Sequence, residues 1–289
     1  MKNKTTITIL VFLIVVAAAI AASVGIFSTG GPGVFEYESI RGEVIQIYGQ
    51  GLYRHMSADV AVQGIGQDYV TLFIAIPLVL IFLLWSRSGS VRGMIALAGT
   101  LGYFLVTYLF YIIMAMYNFL FLLYAFLLGT VFFAFTLIML DLGSKNMKQH
   151  FSEKAPAGFA GGLLIVNSLL IGLLWLSRII PPLLDGSIYP ASLQHYTTLI
   201  VQGMDIGLLL PLAFVSGLLL MKKKQMGFLL GPVYLVFLSL LMTALTAKII
   251  AMGLTGQNII PVIVIIPTIL AVTALAAVLM LRSVRESRA

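Results

Sequence analysis

The sequence predicts an all-α fold, a polytopic membrane helix bundle of eight transmembrane helices forming one integral domain over residues 1–289. Three observations predict it. Hydrophobic residues make up 61% of the chain and charged residues 9%, where a soluble domain carries about 25% charged. Several apolar runs reach the ~20 residues a helix needs to cross hydrocarbon, and they are apolar on all sides, unlike the alternating segments of a barrel. Most of the Lys and Arg residues, finally, cluster in segments that an eight-helix path places on one face.

The same composition excludes several function classes. A net charge of +7 with a pI near 9.6 is explained by basic loops holding the cytoplasmic side of a membrane protein, so the expected partner is the lipid bilayer and not nucleic acid. Zero cysteines remove disulfides, thiol redox chemistry and Cys-ligated metal or iron–sulfur sites. His55, His150 and His195 fall in separate loops or helix ends, so neither a metal nor a haem site is expected. No phosphate-binding Gly-rich loop is present. No cofactor and no complete catalytic set follow from the residues, so nothing in them argues for an enzyme.

Taken in order, Met1-Lys2-Asn3-Lys4 is basic and Thr5 to Phe27 is apolar. This run is longer than the ~7–15 apolar residues of a signal peptide, which favours a retained first helix over a cleaved leader. Gly30-Gly31-Pro32-Gly33 then breaks the helix, and a polar extracytoplasmic segment is expected over residues 30–66. Within it, Ile40 to Ile47 and Tyr53 to Val62 read as short amphipathic elements. Helix two is expected over about Gln67–Trp85, helix three over Gly93–Met116, and helix four from the Tyr117-Asn118 turn to Leu142. Helix five is expected over Ala157–Leu176, before Pro181-Pro182, and helix six over Thr197–Leu220. Helix seven spans about Gly227–Gly253 and helix eight Ile259–Leu281.

The basic segments are the N-terminus, Arg87–Arg92, Lys145–Lys154, Lys222–Lys224 and the tail from Arg282. All five fall on one side of an eight-helix path, which predicts a cell-membrane protein with both termini cytoplasmic.

Aligning Pro77 with Pro211 sets Gly93 opposite Gly227 without a gap, and pairs Asp68 with Gln202 and Thr71 with Asp205. Positions three apart share a helix face, so both helices carry a polar stripe. Two readings stand: parallel repeats over 1–142 and 157–289, related by an axis along the membrane normal as in some transporters, or convergence of two helices with the same orientation.

Asp68-Tyr69-Val70-Thr71-Leu72, Pro77-Leu78, Ser90-Val91-Arg92-Gly93, Gly102-Tyr103-Phe104, Tyr117-Asn118-Phe119-Leu120-Phe121-Leu122 and Asp205-Ile206-Gly207 through Pro211 together resemble a widespread bacterial and archaeal family of multi-pass membrane proteins without an assigned activity. The resemblance covers most of the chain from Tyr48 onward. It implies a multi-pass fold and no particular reaction. In the similar pattern the second aspartate is commonly followed by Leu-Gly, whereas Ile206 follows Asp205 here.

Ionisable groups within a bilayer cost about 2.5–3.5 kcal/mol each on insertion scales, so they pair or serve a function. Asp68, Asp205 and Lys248 are the three to weigh. At ~1.5 Å rise per residue from the basic ends, Asp205 lies ~25 Å up, Asp68 ~28 Å and Lys248 ~31–36 Å, with Gln202 and Asn118 at similar height. These five residues are the candidate ligand-binding set. For Asp68 the leading expectation is a cap at the start of helix two; for Asp205 it is either an ion pair with Lys248 or a ligand or proton site. Pro77 and Pro211 are expected to kink their helices. Tyr103, Tyr108, Tyr111, Tyr117 and Tyr124 are expected in interface or packing roles. The functional expectation is a small-molecule transporter or permease-like protein with a polar site near the extracytoplasmic side. The alternative is a non-catalytic sensor or partner-binding subunit using the 30–66 segment.

Overall fold

The computed structural model describes residues 3–286 and is almost entirely helical. Eight helical spans are long and apolar enough to cross a membrane among the described residues, and the chain is a multi-pass membrane protein. Helix α1 (Lys4–Phe27) is followed by strands β1 (Phe35–Glu38) and β2 (Val44–Ile47), and then by α2 (Ala58–Val70) and α3 (Ile76–Arg87). Next come α4 (Val91–Ile113), α5 (Phe121–Gly143), the short α6 (Met147–His150) and α7 (Ala157–Leu184). The chain ends with α8 (Ile200–Met204), α9 (Leu210–Met221), α10 (Gln225–Leu254) and α11 (Val262–Arg282). Eight spans return the chain to the end of the bundle where it began.

α4 and α10 form the centre. They pack on each other and bury most of their apolar residues, while α7, α9 and α11 present most of theirs outward. α1 buries Ile7, Val11, Ile14, Ala18, Ala21 and Gly25, a one-sided stripe at helical spacing, against the second span and α5. α7 and α9 approach closely at Gly161 and Gly217, where a Cβ on either would meet the other's carbonyl oxygen at 2.5–2.6 Å. Small residues let helix backbones meet where lipid offers no hydrophobic driving force.

Two spans are interrupted at matching places. A π-turn over Thr71–Ala75 joins α2 to α3, and another over Asp205–Leu209 joins α8 to α9. In each, the residue before proline donates its N–H five residues back, Ile76 to Thr71 and Leu210 to Asp205. Proline lacks an N–H and its ring crowds the carbonyl four residues earlier. The wider turn absorbs that conflict, so Pro77 and Pro211 sit at the first positions of new α-helical stretches.

Three boundaries differ from the sequence expectation. The second span starts at Ala58, not near Gln67, so the outer non-helical segment covers 28–57 and not 30–66. The reason is local: Ser57 is extended at the cap position and Asp59 lies in the first turn, where an acidic side chain suits the helix dipole. α7 continues to Leu184 through Pro181 and Pro182: proline's fixed φ is compatible with a helix, and both prolines fall in the last turn, where little helix remains to be disturbed. The 40–47 region is a strand of an antiparallel hairpin, pairing Phe35 with Ile47 and Glu38 with Val44. Ile45 and Ile47 turn inward, while the Ser39 hydroxyl accepts from the Arg41 and Glu43 amides at 3.2 and 3.3 Å to close the turn.

Candidate functional site

The hairpin and the start of α2 place Tyr53 over the end of the bundle away from the termini, called the outer end for the proposed orientation, and there it meets Asp68. The Asp68 carboxyl is 2% exposed. Its Oδ2 accepts from the Tyr53 hydroxyl at 2.5 Å and its Oδ1 from the Tyr111 hydroxyl of α4 at 2.8 Å. α1 supplies the remaining wall: a Cβ on Gly25 would overlap the Asp68 carboxyl. Asp68 is therefore not a helix cap. It lies near the end of α2, ahead of the π-turn, because that helix starts earlier than the apolar run suggests.

A second polar layer adjoins it, one turn away on the same face. Gln67 donates to the Tyr103 hydroxyl at 2.7 Å and the Thr107 hydroxyl at 3.0 Å, and the Thr71 and Tyr103 hydroxyls are 3.0 Å apart. Tyr103, Thr107 and Tyr111 recur every four residues along α4, which puts them on one stripe. Tyr124 of α5 packs edge-on to Tyr111 at 5.2 Å and stacks on Tyr108 at 6.2 Å. Two buried polar atoms here, Gln67 Oε1 and the Tyr124 hydroxyl, have no hydrogen-bond partner among the described residues. Buried polar groups are nearly always satisfied, so these two mark where a further donor or water belongs.

Asn118 lies on the outer side of this cluster. Its Oδ1 accepts from the Leu120 amide at 2.9 Å, and it lines a cavity of about 80 Å³ together with Tyr111, Tyr117 and Tyr124. That volume holds a few waters and reaches from the Tyr117-Asn118 turn to the tyrosine that holds Asp68.

Asp205 opens the second π-turn and is half-buried. Its Oδ2 accepts from the indole N–H of Trp175 in α7 at 2.7 Å. Lys248 of α10 sits where α2 crosses, with its Cα 3.1 Å from where a Cβ on Gly66 would stand. It is within electrostatic reach of both Asp205 and Asp68. An ion pair with Lys248, one of the two alternatives for Asp205, is absent. Among the described residues the one ion pair within 4.0 Å is Arg92–Glu286, at 3.8 Å, and Lys248 makes no side-chain hydrogen bond. Both carboxylates have taken neutral donors instead. Gln202 is partly exposed on α8 and joins neither network.

The outer surface is closed by the two longest loops. Arg41 donates to the Gln194 carbonyl at 3.0 Å, Gln194 donates to Asp59 at 3.1 Å, and the Ser57 amide donates to the Tyr196 hydroxyl at 3.2 Å. His195 lies 3.2 Å from the His55 carbonyl and edge-on to Tyr37. Burial holds the His195 imidazole below its usual value of 6.5, against the opposing pull of the His55 carbonyl and Asp59. Burial, and then the Asp68 carboxylate, pushes the Tyr53 hydroxyl well above 10.0, so it remains a donor at neutral pH.

Sequence reasoning reached Asp68, Asp205 and Lys248 but missed Tyr53 and Trp175 as carboxylate partners. Tyr53 lies in a loop and Trp175 on another helix, so no spacing rule connects either to its aspartate. The Tyr103–Thr107–Tyr111 stripe carried a signal in its period of four. No family model, no curated protein and no solved structure matches the chain.

Proposed function

We propose that this protein is a small-solute transporter of the permease kind, held in the cell membrane with both termini cytoplasmic and its polar site toward the opposite face. One observation carries the reading. Lys248 is within electrostatic reach of Asp68 and Asp205 yet forms an ion pair with neither, and both carboxylates accept from neutral donors instead. An ionisable group in a bilayer that served only to lock helices would be paired. A lysine that interacts with two acidic sites without committing to either is suited to change partner when a proton or ligand arrives.

The second support is the unequal closure of two like halves. The alignment of Pro77 with Pro211 also carries Thr71–Ala75 onto Asp205–Leu209, Ile76–Arg87 onto Leu210–Met221, and Val91 onto Gln225, which are the observed element boundaries. The two halves read as parallel repeats of one unit. α2, beyond the first π-turn, packs firmly against α10, whereas its counterpart α8 buries no residue and barely touches α4. In carriers built from two repeats, access alternates as one repeat rocks or gates against the other. The π-turn at Asp205 supplies the hinge, and the Asp205–Trp175 bond sits on it.

The test is solute-evoked flux in proteoliposomes, over a panel of amino acids, organic acids and amines, for the native protein and for Lys248→Met and Asp205→Asn. Both variants are expected to stay monodisperse with near-native thermal stability and to lose flux at least about tenfold. Retained flux in Lys248→Met would overturn the reading. A protein inert to the whole panel, whose isolation with a partner needs the Phe35–Ile47 hairpin and survives Asp205→Asn, would instead make it a sensor or partner-binding subunit.

A further inference from the structure

A second cavity lies at the opposite end of the bundle from Asp68, at the end that carries both termini. It measures about 600 Å³ and is walled by Arg92 of α4, Ser152 and Lys154 of the loop after α6, and Leu279, Arg282 and Arg285 at and beyond the end of α11. The walls are built, not incidental. Phe151 pairs with Val284 as an isolated antiparallel bridge, the Ser152 amide donates to the Ser283 carbonyl at 2.8 Å, and the Arg285 amide donates to the His150 carbonyl at 2.6 Å. The loop and the tail are thus stitched into a small platform beside the helix ends.

Four cations line this cavity and no carboxylate does. Glu286, the nearest acid in the tail, is held at the start of α4: it accepts from the Ser90 hydroxyl at 2.6 Å and from the Val91 and Arg92 amides, each at 3.1 Å, and pairs with the Arg92 guanidinium at 3.8 Å. Glu153, between two lining residues, is exposed. Arg92 spends its donors on the Val284 carbonyl, but Lys154, Arg282 and Arg285 make no side-chain hydrogen bond or ion pair among the described residues. Three uncommitted cations therefore converge on one hollow at a helix end, where hydrocarbon gives way to headgroups. Leu279, one turn further into α11, gives the hollow an apolar inner wall.

We propose that this hollow binds the phosphate headgroup of an anionic phospholipid, with the lipid's glycerol and acyl chains running along α11 past Leu279. Basic pockets between membrane helices recognise headgroups in this way, through charge and a shaped wall together. The apolar wall beside the cations suits a lipid, whose headgroup is joined to hydrocarbon, better than a free anion, which gains nothing from apolar contact. This inference stands apart from the transport reading and uses none of the same residues.

The experiment measures lipid retention and thermal stabilisation of the full chain in detergent, with phosphatidylglycerol, phosphatidylcholine and inorganic phosphate as separate probes. Saturable stabilisation by phosphatidylglycerol and none by phosphatidylcholine is expected. Apparent affinity should fall about tenfold to a hundredfold in the combined Lys154→Ala, Arg282→Ala, Arg285→Ala variant, and much less when Lys222, Lys223 and Lys224 are replaced by alanine. Equal losses in the two variants would overturn the proposal in favour of diffuse surface attraction. Stabilisation by inorganic phosphate alone would overturn the lipid source. If the triple variant does not fold, Arg285→Glu alone should reduce phosphatidylglycerol retention, and unchanged retention would overturn the proposal.

Discussion

Asp68 shows how a carboxyl group is accommodated in the bundle's outer half without a counter-ion. Two tyrosine hydroxyls saturate its oxygens, and the missing side chain of Gly25 makes the room. Removing one donor leaves a buried acceptor unsatisfied, which costs about 1–3 kcal/mol. Tyr111→Phe is therefore expected to lower the thermal midpoint in detergent, and Tyr53→Phe to do the same. Because both act on one carboxyl group, the double variant should depart from additivity, as residues in one hydrogen-bonded network do. Gly25→Val should be the most damaging of the set, since a branched side chain there collides with the carboxyl and overpacking costs about 1–3 kcal/mol or more. A Gly25→Val protein as stable as the native one would refute the packing of α1 against Asp68. Asp68 itself was conspicuous in the sequence, but its partners were not. Tyr53 and Tyr111 are separated from it along the chain in opposite directions, and only the packing of a loop and α4 on α2 brings them together.

Among the elements, the π-turns and the outer cap carry the consequences. The sequence showed that Pro77 and Pro211 would disturb their helices, but the form of the disturbance depends on the register of the hydrogen bonds before each proline. Replacing Pro211 by leucine restores an N–H donor and removes the ring's conflict with the preceding carbonyl. Amide exchange over 200–209 is then expected to slow, as the second π-turn tightens towards α-helix. The outer cap is pH-sensitive in a calculable direction. The His195 imidazole is held below its ordinary value by burial, so the folded cap resists a proton that the open loop accepts. Its contribution to stability is present above about pH 6.5 and is lost progressively as pH falls below that. The protection of the amides of residues 190–196, measured as their slowing relative to the intrinsic exchange rate at each pH, should fall between pH 7 and pH 5 in the native protein, and this fall should be abolished in His195→Gln.

At the scale of the whole molecule, eight spans put both ends of the chain at one face, and the proposed orientation makes that face cytoplasmic. The absence of cysteine makes labelling direct. In intact cells, Ser187→Cys should react with a membrane-impermeant maleimide, whereas Ser144→Cys should react only after permeabilisation; the reverse pattern would invert the topology. The two halves share a span-and-turn pattern yet pack differently, with α2 held between α1 and α10 while α8 buries no residue and touches α4 only slightly.

Composition and the spacing of apolar and basic residues determined the all-α class, the number of spans and the clustering of charge. Each of these follows from a local requirement: a helix must satisfy its own backbone hydrogen bonds in hydrocarbon, and cations must stay out of it. The sequence also singled out the ionisable residues, because any charge in an apolar run is costly. Tertiary structure decided who meets whom. It gave Asp68 to Tyr53 and Tyr111, gave Asp205 to Trp175, left Lys248 uncommitted, and folded the tail against the 150–154 loop to enclose the basic hollow. Those outcomes depend on which helix faces touch, and contacts between distant segments leave no period or spacing in the chain from which they could be read.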